Sequence, residues 1–354
     1  MTNKNRIRGC IVGGAVGDAL GYTVEFMQDY KIFETYGEKG ISDFELINGV
    51  GLISDDTQMT LFTADGILLA KDDTKEAYLD SIYESYRDWV YMQLKSKPLS
   101  ASRTPYGTLH KYSPLYESRA AGTTCIQNLM SENRGSIAHP KNTSKGCGGV
   151  MRVAPIALAF IAPRYSYEFV DTLGAEAAAL THGHDLGFIP AAMLVHIIKA
   201  IFHSPKAPLR DIILEALDTT CYRFENSPHI TSFRALMDRA ISLSKISEID
   251  DLEAIRDLGE GWVAEETLAI AVYCSLKYDY DFKAAIVASV NHSGDSDSTG
   301  AVTGNILGAY LGLGAIPKHW RKRIELKKLL FKTSKLIAKF ARKHRKEIIP
   351  KTPK

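Results

Sequence analysis

Two short clusters of oxygen-bearing side chains and one isolated glutamate are the residues of this chain best suited to chemistry. They are Glu25; Ser54, Asp55 and Asp56; and Asp295, Asp297 and Ser298. Carboxylate and hydroxyl oxygens are the donors that hard cations such as Mg²⁺, Mn²⁺ and Ca²⁺ prefer in proteins. Although the three pieces are far apart in the sequence, we predict that folding brings them together around metal ions.

Each of these pieces has a simpler explanation when it is taken alone. The stretch from Ser54 to Asp56 precedes an apolar helical pattern, so one residue could cap a helix while the acids favour its dipole. A capping role and a ligand role explain that stretch equally well. Glu25 closes another helical pattern, where a single glutamate is usually just solvated.

The Asp-x-Asp spacing at residues 295–297 also occurs in two other kinds of site. A calcium-binding EF-hand loop needs a glutamate at its twelfth position, but counting from Asp295 places Ile306 there. A phosphatase-type Asp-x-Asp-x-Thr motif would follow a hydrophobic β-strand. Here residues 284–288 have helical flanks, and Thr299 lies one residue too late. Neither alternative fits well.

A glycine-rich turn provides a candidate anion site. Its residues are Gly146, Cys147, Gly148, Gly149, Val150 and Met151. Glycines before a helical run can expose backbone N–H groups to an anion such as a diphosphate. The turn has neither the Gly-Lys-Ser/Thr ending of a Walker loop nor the strand that precedes a G-x-G-x-x-G fingerprint.

Two further residues could contact a substrate. His182 lies in the stretch Thr181–Asp185, which has two histidines but no matching third metal ligand nearby. Contact of His182 with substrate is the better functional interpretation, whereas a simple interhelical turn explains the stretch best on its own. Trp262 could stack on a ring, although a buried structural tryptophan is commoner.

The elements that position these residues include two helices with glycine at every fourth position. Glycines at 9, 13, 17 and 21 mark a helix predicted over residues 6–26, and glycines at 300, 304, 308 and 312 mark a second helix. Residues four apart share a helix face, and glycine lowers helix stability. Such stripes predict close packing against another backbone. If the two helices pack on each other, Glu25 approaches Asp295 and Asp297.

Helical patterns dominate the rest of the chain. They cover residues 75–94, 152–202, 209–218, 231–245, 265–277 and 281–290, whereas residues 95–149 are poorly patterned apart from a helix at 119–130. With 354 residues and 45% hydrophobic content, the chain can bury a large core. We expect an all-α protein, with one catalytic domain over residues 1–317 and a basic helix or tail over residues 318–354.

Composition argues against several other classes of protein. Five scattered cysteines without a C-x-x-C pair indicate neither a disulfide framework nor a zinc site. Asp18 and the glycines around it are unlike a signal peptide, and no apolar run is expected to reach membrane-spanning length. We therefore expect a protein of the reducing cytoplasm without a membrane span.

Charge is distributed unevenly along the chain. Residues 318–354 contain 15 Lys and Arg against two Asp and Glu, a net charge of +13, which leaves −11 for the remaining residues. The acidic body suits a cation site, and the basic tail suits an anionic partner. We predict that the tail forms an amphipathic helix packed on the body. A nucleic acid partner is conceivable but not favoured, because no aromatic residues are interleaved for base stacking.

Taken together and in this order, the motifs resemble those of the ADP-ribosylglycohydrolases, the relatives of dinitrogenase reductase-activating glycohydrolase and of the ADP-ribosylarginine hydrolases. The resemblance covers residues 6–314 and not obviously the basic tail. The motifs that carry it are Gly-x-x-x-Gly-Asp18-Ala-Leu-Gly with Glu25, Ser-Asp-Asp-Thr at 54–57, Arg-Ala-Ala-Gly-Thr-Thr-Cys at 119–125, Gly-Cys-Gly-Gly-Val-Met-Arg at 146–152, Thr-His at 181–182 and Gly-Asp-Ser-Asp-Ser-Thr at 294–299.

This resemblance implies a single-domain, largely orthogonal bundle of helices with two bound Mg²⁺ or Mn²⁺ ions. The metal ligands implied by matching positions are Ser54, Asp55, Asp56, Asp295, Asp297 and Ser298. Asp297 would bridge the two ions, and Glu25 matches an acid that binds a metal or activates water. Many relatives have threonine where this chain has Ser54 and Ser298, and serine still supplies an oxygen.

The substrate site is implied in the same way. The turn at residues 146–151 matches the segment that cradles ADP-ribose, and His182 matches a substrate-contact position. The implied activity is hydrolysis of a glycosidic bond at C1″ of ADP-ribose through an oxocarbenium-like state. Glu25, Asp56 and Asp297 are then the expected catalytic residues, because a carboxylate can take a proton from water or assist the leaving group.

The acceptor is less clearly indicated than the reaction. The Asp-Ser-Asp-Ser-Thr form at residues 295–299 resembles arginine-directed members more than serine-directed ones. We therefore expect a monomeric enzyme that removes ADP-ribose from arginine of modified proteins. The alternatives are another linkage (to serine, in O-acetyl-ADP-ribose or on nucleic acid), or a non-catalytic protein that binds ADP-ribose or acts as an immunity protein.

Overall fold

The computed structural model describes residues 1–94, 104–131 and 133–346 of the chain. These ranges contain sixteen α-helices. The helices are α1 (Asn3–Gly21), α2 (Asp29–Tyr36), α3 (Asp55–Leu69), α4 (Lys75–Gln93), α5 (Thr123–Leu129), α6 (Ala154–Ala159), α7 (Tyr167–Ala179), α8 (Asp185–His203), α9 (Leu209–Arg223), α10 (Ile230–Leu243), α11 (Asp251–Leu258), α12 (Ala264–Lys277), α13 (Phe282–Val290), α14 (Ser296–Leu311), α15 (Lys318–Arg323) and α16 (Lys327–Lys346).

The prediction of an all-α protein is confirmed. Within the described ranges no β-strand forms, and only isolated bridges occur, such as the one between Gly146 and Val263. The poorly patterned region contains α5 and short 3₁₀ turns at Leu109–Lys111, Ser113–Tyr116 and Cys147–Gly149. Residues 95–103 of that region lie outside the described residues.

Helices α1 and α14 pack along their glycine stripes, as the sequence predicted. A Cβ atom placed at Gly9, Gly13 or Gly17 would overlap the carbonyl oxygen of the glycine that faces it, which is Gly308, Gly304 or Gly300 respectively. The order of these pairs shows that the two helices run antiparallel. Because the backbones touch, the C-terminal end of α1 lies against the N-terminal end of α14.

Helix α1 ends earlier than the sequence predicted. It stops at Gly21 rather than at residue 26, and the chain leaves it through two successive turns. In these turns the Val24 N–H donates to the Gly21 carbonyl at 2.9 Å, and the Met27 N–H donates to the Val24 carbonyl at 2.8 Å. Glu25 is therefore carried by a turn that follows the helix.

One helix contradicts the expectation that no apolar run reaches membrane-spanning length. Helix α8 is 19 residues long with a mean hydropathy of 1.7 in its most apolar window, and 94% of that window is buried inside the protein. The window is apolar because other helices surround it on all sides. Helices α7 and α9, its neighbours in the chain, pack against it together with α12.

The basic C-terminal segment does not form the single continuous helix that the sequence predicted. It is divided into α15 and α16, and the break lies at Leu326, whose φ angle of 51° is in the left-handed region. Just before the break, Glu325 accepts hydrogen bonds from Arg119 Nη1 at 3.1 Å and from the Ile53 N–H at 3.2 Å. The segment is thereby attached to the residues that precede α3.

Candidate metal centre

The N-terminal ends of two helices bring the two acid clusters together. Asp55 and Asp56 occupy the first turn of α3, and Asp297 occupies the first turn of α14. One carboxylate oxygen from each of these three residues lies within 4.8 Å of the other two. All three side chains are buried. The prediction that the distant clusters meet is therefore confirmed, although the individual roles of the ligands stay predictions.

Asp18 is a member of this site that the sequence analysis left without a role. It lies on α1 and is fully buried. Its Oδ1 accepts from the Ser54 N–H at 2.9 Å, and its Oδ2 accepts from the Thr57 N–H at 3.0 Å. The side chain therefore satisfies the first N–H groups of α3 and fixes that helix relative to α1. An acid within a buried glycine stripe is the signal that could have identified it.

Two carboxylate oxygens in the cluster have no hydrogen-bond partner. They are Oε2 of Glu25 and Oδ2 of Asp56, and both are buried. A buried polar atom without a partner is unfavourable, and a buried carboxylate is more so. Oxygen atoms that converge in this way fit a hard cation such as Mg²⁺ or Mn²⁺. The donor set therefore fits the predicted metal ions.

The electrostatics of the carboxylates support the same conclusion. Burial, followed by the charge of Asp297, raises the pKa of Asp18 to about 7. Burial, followed by Asp297 and Asp295, raises the pKa of Glu25 to about 10. Like charges confined in a buried space disfavour ionisation, so each acid must hold a proton or face a cation.

The remaining predicted ligands line the same cluster through other contacts. Ser54 caps α3 and its hydroxyl accepts from the Asp56 N–H at 3.2 Å. Asp295 caps α14, where its Oδ1 accepts from the Ser298 N–H at 3.2 Å. The Ser298 hydroxyl lies 4.0 Å from the sulfur of Met151. Capping by Ser54 and Asp295 leaves lone pairs on both side chains, and their metal-binding roles stay predictions.

The glycine-rich turn lies directly beside the second acid cluster. The Cys147 thiol donates to Asp295 Oδ2 at 2.7 Å, and the Cys147 N–H donates to the Trp262 carbonyl at 3.2 Å. A second backbone hydrogen bond joins the same two segments, because the Ala264 N–H donates to the Lys145 carbonyl at 2.8 Å. Residues 145–147 are thus held in an extended pairing with residues 262–264, next to the carboxylates.

His182 lies beneath the glycine-rich turn. Its side chain is 2% exposed, and a Cβ atom at Gly148 would come within 2.9 Å of its ring. Burial, followed by the charge of Arg152, lowers the pKa of His182 to about 3, so the ring is neutral near pH 7. In this structure the histidine ring packs against the buried side of the glycine-rich turn. Its contact with substrate stays a prediction.

Asp55 is also held by hydrogen bonds to the segment that contains Arg119 and Gly122. The Gly122 N–H donates to Asp55 Oδ2 at 3.2 Å, and the Asp55 N–H donates to the Arg119 carbonyl at 3.0 Å. Arg119 in turn forms a two-pronged ion pair with Glu325. The motif at residues 119–125 therefore acts in the structure as a positioning segment for the first acid cluster.

An exposed aromatic pair stands at the edge of the site. Phe26, which follows Glu25, is 74% exposed, and Trp262, which faces the glycine-rich turn, is 39% exposed. Their rings stack with centroids 6.0 Å apart and an interplanar angle of 24°. Trp262 is therefore partly exposed, unlike the buried structural tryptophan that is the commoner case in proteins. The sequence contains no signal for its pairing with Phe26.

Nearly the whole chain is similar to one family of known proteins. The ADP-ribosylglycohydrolase family model matches residues 1–347, and so includes most of the basic segment that the motifs did not cover. The ADP-ribosyl-[dinitrogen reductase] glycohydrolase of Rhodospirillum rubrum is 26% identical over 328 residues, covering 91% of each chain. Human ADP-ribosylhydrolase ARH3 is 24% identical over 360 residues, covering 91% of this chain and 89% of its own.

A solved structure gives the same result for the fold. The structure titled "ADP-ribosylglycohydrolase-related protein complex" superposes with a TM-score of 0.58 and covers 96% of this chain and 99% of its own, at 21% sequence identity. The family match, the acidic cluster and the glycine-rich turn beside it are consistent with ADP-ribosyl hydrolase activity. This chain belongs to the ADP-ribosylglycohydrolase family.

Proposed function

We propose that the chain is a metal-dependent hydrolase that releases ADP-ribose from arginine side chains of modified proteins. The observation that carries this proposal is the convergence of Asp55, Asp56 and Asp297 within 4.8 Å of one another. They lie in the first turns of α3 and α14, and the buried atoms Oε2 of Glu25 and Oδ2 of Asp56 have no hydrogen-bond partner. A buried group of carboxylates without basic partners is suited to holding divalent cations rather than to supporting the fold.

The chain's own residues have separate tasks in this proposal. Asp55, Asp56 and Asp297 would hold the cations, with Ser54, Asp295 and Ser298 completing the set. When bound, divalent cations supply Lewis-acid polarisation of ribose and water oxygens. The turn at residues 146–151 would receive the diphosphate through the N–H groups of Gly148 and Gly149, because its other N–H groups donate to oxygens of the protein.

Glu25 is the residue to which we assign proton transfer. It lies on a turn at the edge of the site beside the exposed Phe26, whereas Asp56 lies within the carboxylate cluster itself. Its buried, unpaired Oε2 suits a group that accepts a proton from water once the carboxylate is ionised beside a bound cation. Asp18 is instead a positioning residue, because both of its oxygens are engaged by backbone N–H groups of the α3 terminus.

The arginine linkage is proposed from the residues at 295–299, and a protein substrate is proposed from one relative. The Asp-Ser-Asp-Ser-Thr sequence there has the form expected of arginine-directed members. The relative from Rhodospirillum rubrum is named for its action on ADP-ribosylated dinitrogen reductase, which is a modified protein. A protein substrate also fits the exposed rings of Phe26 and Trp262, which an acceptor surface could cover.

The test is release of ADP-ribose from a protein carrying ADP-ribosylarginine. The full chain is assayed with Mg²⁺, with Mn²⁺ and with EDTA, and the same assay is run on ADP-ribosylserine peptide, O-acetyl-ADP-ribose and ADP-ribosylated nucleic acid. Metal-dependent release that is fastest from arginine is the expected result. Faster release from any other linkage would overturn the proposed acceptor but not the hydrolase.

The same experiment separates catalysis from simple binding. If EDTA has no effect on release, the metal-dependent mechanism is wrong. If no substrate in the panel is hydrolysed while ADP-ribose still binds, the chain is a binding protein. In that case a variant with both acid clusters replaced would protect a modified target as well as the natural chain does.

A further inference from the structure

Helix α16 presents an uninterrupted row of cations to solvent. The twenty residues of this helix include no aspartate or glutamate. The side chains at three- and four-residue intervals share one face of the helix. The exposed members of this row are Lys328, Lys332, Lys335, Lys339, Arg342 and Lys343.

The opposite face of α16 is already used by the fold. Leu329, Leu330, Ile337 and Ala341 are buried against the rest of the protein. Helices that lie in a membrane surface insert their apolar face between lipids, and in α16 that face is occupied. Among the large apolar residues of the helix Leu336 is 40% exposed, whereas Phe331 and Phe340 are partly buried against the core.

A groove runs between α16 and the start of α1. Its volume is about 1170 Å³, and none of its lining residues is acidic. Lys335, Lys339 and Arg342 line it on α16, Lys4 lines it on α1, and its solvent-accessible apolar residues include Ile161 and Leu336. We call this feature the basic groove. Cations therefore come from both helices, with apolar side chains between them.

The cations of the basic groove have no carboxylate partners. Within the part of the chain that the structure describes, no ion pair engages Lys335, Lys339 or Arg342. Exposed cations elsewhere do form such pairs, as Arg234 does with Asp218 and Arg239 with Asp257. The excess of positive charge at the groove is thus available to an external anion.

We propose that the basic groove binds single-stranded nucleic acid without sequence preference. Each nucleotide carries a phosphate for the cations of the two helices and a base whose face can lie on the apolar residues between them. A duplex, whose bases are already stacked on each other, could use only the cations. The exposed ring of His203 also lines the groove, but no Phe, Tyr or Trp of the lining is exposed, so we expect weak dependence on base identity. This inference is independent of the proposed hydrolysis.

The test compares two triple variants of the full chain that lose the same charge. Lys335→Gln/Lys339→Gln/Arg342→Gln removes cations of the basic groove, and Lys39→Gln/Lys245→Gln/Lys283→Gln removes exposed lysines elsewhere. Binding of a fluorescently labelled 15-nucleotide RNA of mixed sequence is followed by anisotropy at several salt concentrations. EDTA is present throughout, so that cations at the acid site cannot bridge phosphates. A matched duplex and vesicles containing phosphatidylserine are measured alongside.

We expect the natural chain to bind the single strand more tightly than the duplex or the vesicles. The groove variant should raise Kd about tenfold or more in low salt and reduce the slope of log K against log salt by about 2, because three phosphate contacts are lost. The control variant should change Kd less than about twofold. Equal losses in both variants, tighter binding to the duplex, or binding to vesicles alone would each overturn the proposal. ADP-ribose release by the groove variant, measured separately, keeps this outcome distinct from the test of hydrolysis.

Discussion

The acid site and helix α16 both concentrate charge of one sign, but they do so in opposite surroundings. At the acid site, buried carboxylates crowd against one another and their pKa values rise. On α16 the cations are exposed and spaced along a helix. Buried like charges require a partner at a fixed position, whereas exposed like charges are solvated and favour any polyanion. The acid site is thus suited to cations bound at fixed positions, and α16 is suited to a polyanion bound without fixed positions.

The largest expected effect comes from removing charge at the acid site. We expect Asp55→Asn/Asp297→Asn to lower kcat/KM for ADP-ribose release on the order of 10³-fold or more, because in the proposed mechanism these carboxylates would hold the cations that stabilise developing charge. Circular dichroism establishes that the variant is folded. The matched control is Asp218→Asn/Asp257→Asn, which changes two exposed aspartates. Activity close to that of the natural chain in the folded double variant would contradict the mechanism.

The glycine contact that positions the acid site can be broken without changing any charge. A Cβ at Gly304 would overlap the carbonyl of Gly13, so Gly304→Ala should lower the free energy of unfolding by about 1–3 kcal/mol or more. Gly314→Ala is the control, because a Cβ there meets nothing within 4 Å. Urea denaturation measures both. If the two variants are equally stable, the close packing of α1 and α14 is not a source of stability.

The pH dependence of metal-induced stabilisation sharpens the comparison further. The pKa of Asp18 rises from 3.8 to about 7, and that of Glu25 rises from 4.5 to about 10. Because the folded-state pKa values are raised, protonation stabilises the metal-free fold below about pH 4, and this contribution is lost as the pH rises through 7 and toward 10. Mg²⁺ or Mn²⁺ should therefore raise Tm more at pH 8.5 than at pH 5.5.

Thermal melts with one fixed Mg²⁺ concentration and with EDTA, at each of the two pH values, provide the measurement. A concentration about 100 times the Kd at pH 8.5 adds about 2.7 kcal/mol to the free energy of unfolding there, which is a shift of several degrees, and adds less at pH 5.5, where protonation raises Kd. In Asp55→Asn/Asp297→Asn the difference between the two pH values should largely disappear. An equal rise in Tm at both pH values in the natural chain would show that protons and cations do not compete for these carboxylates.

The smallest effect is expected on α16. The groove variant Lys335→Gln/Lys339→Gln/Arg342→Gln should change the free energy of unfolding by no more than about 0.5 kcal/mol, because its side chains are solvated. Release of ADP-ribose from a short ADP-ribosylarginine peptide should stay within about twofold of the natural rate. If the variant instead lost several kcal/mol of unfolding free energy, these cations would contribute to folding stability, and the contrast with the acid site would be wrong.

The helices and the meeting of the acid clusters could be predicted because they depend on local periodicity and on residue type. Glycine at every fourth position of α1 and α14 indicated a backbone contact, and that contact places Asp297 near the end of α1. The helix ends were less predictable. Glu25 lies beyond α1, and the basic segment breaks at Leu326, because contacts with distant residues such as Ile53 decide where the chain turns.

What could not be predicted depends on contacts between residues far apart in the sequence. The capping of α3 by Asp18 crosses 36 residues, and the contact of Cys147 with Asp295 crosses 148. The sequence shows an acid and a cysteine at these positions but not which backbone or side chain each one faces. The burial of His182 under the glycine-rich turn is of the same kind. Pattern analysis therefore indicates which residues form the site better than it indicates how they are held.

The antiparallel pairing of α1 and α14 has a consequence for how the protein is made. Residues 3–21 leave the ribosome first, but their partner is not complete until residue 311 has been synthesised. Until then the glycine face of α1 has no backbone to pack against, and the acids of α3 lack the carboxylate of Asp297. Contacts of such sequence separation form slowly. A nascent chain of this protein is therefore expected to have no working metal centre until nearly its whole length has emerged.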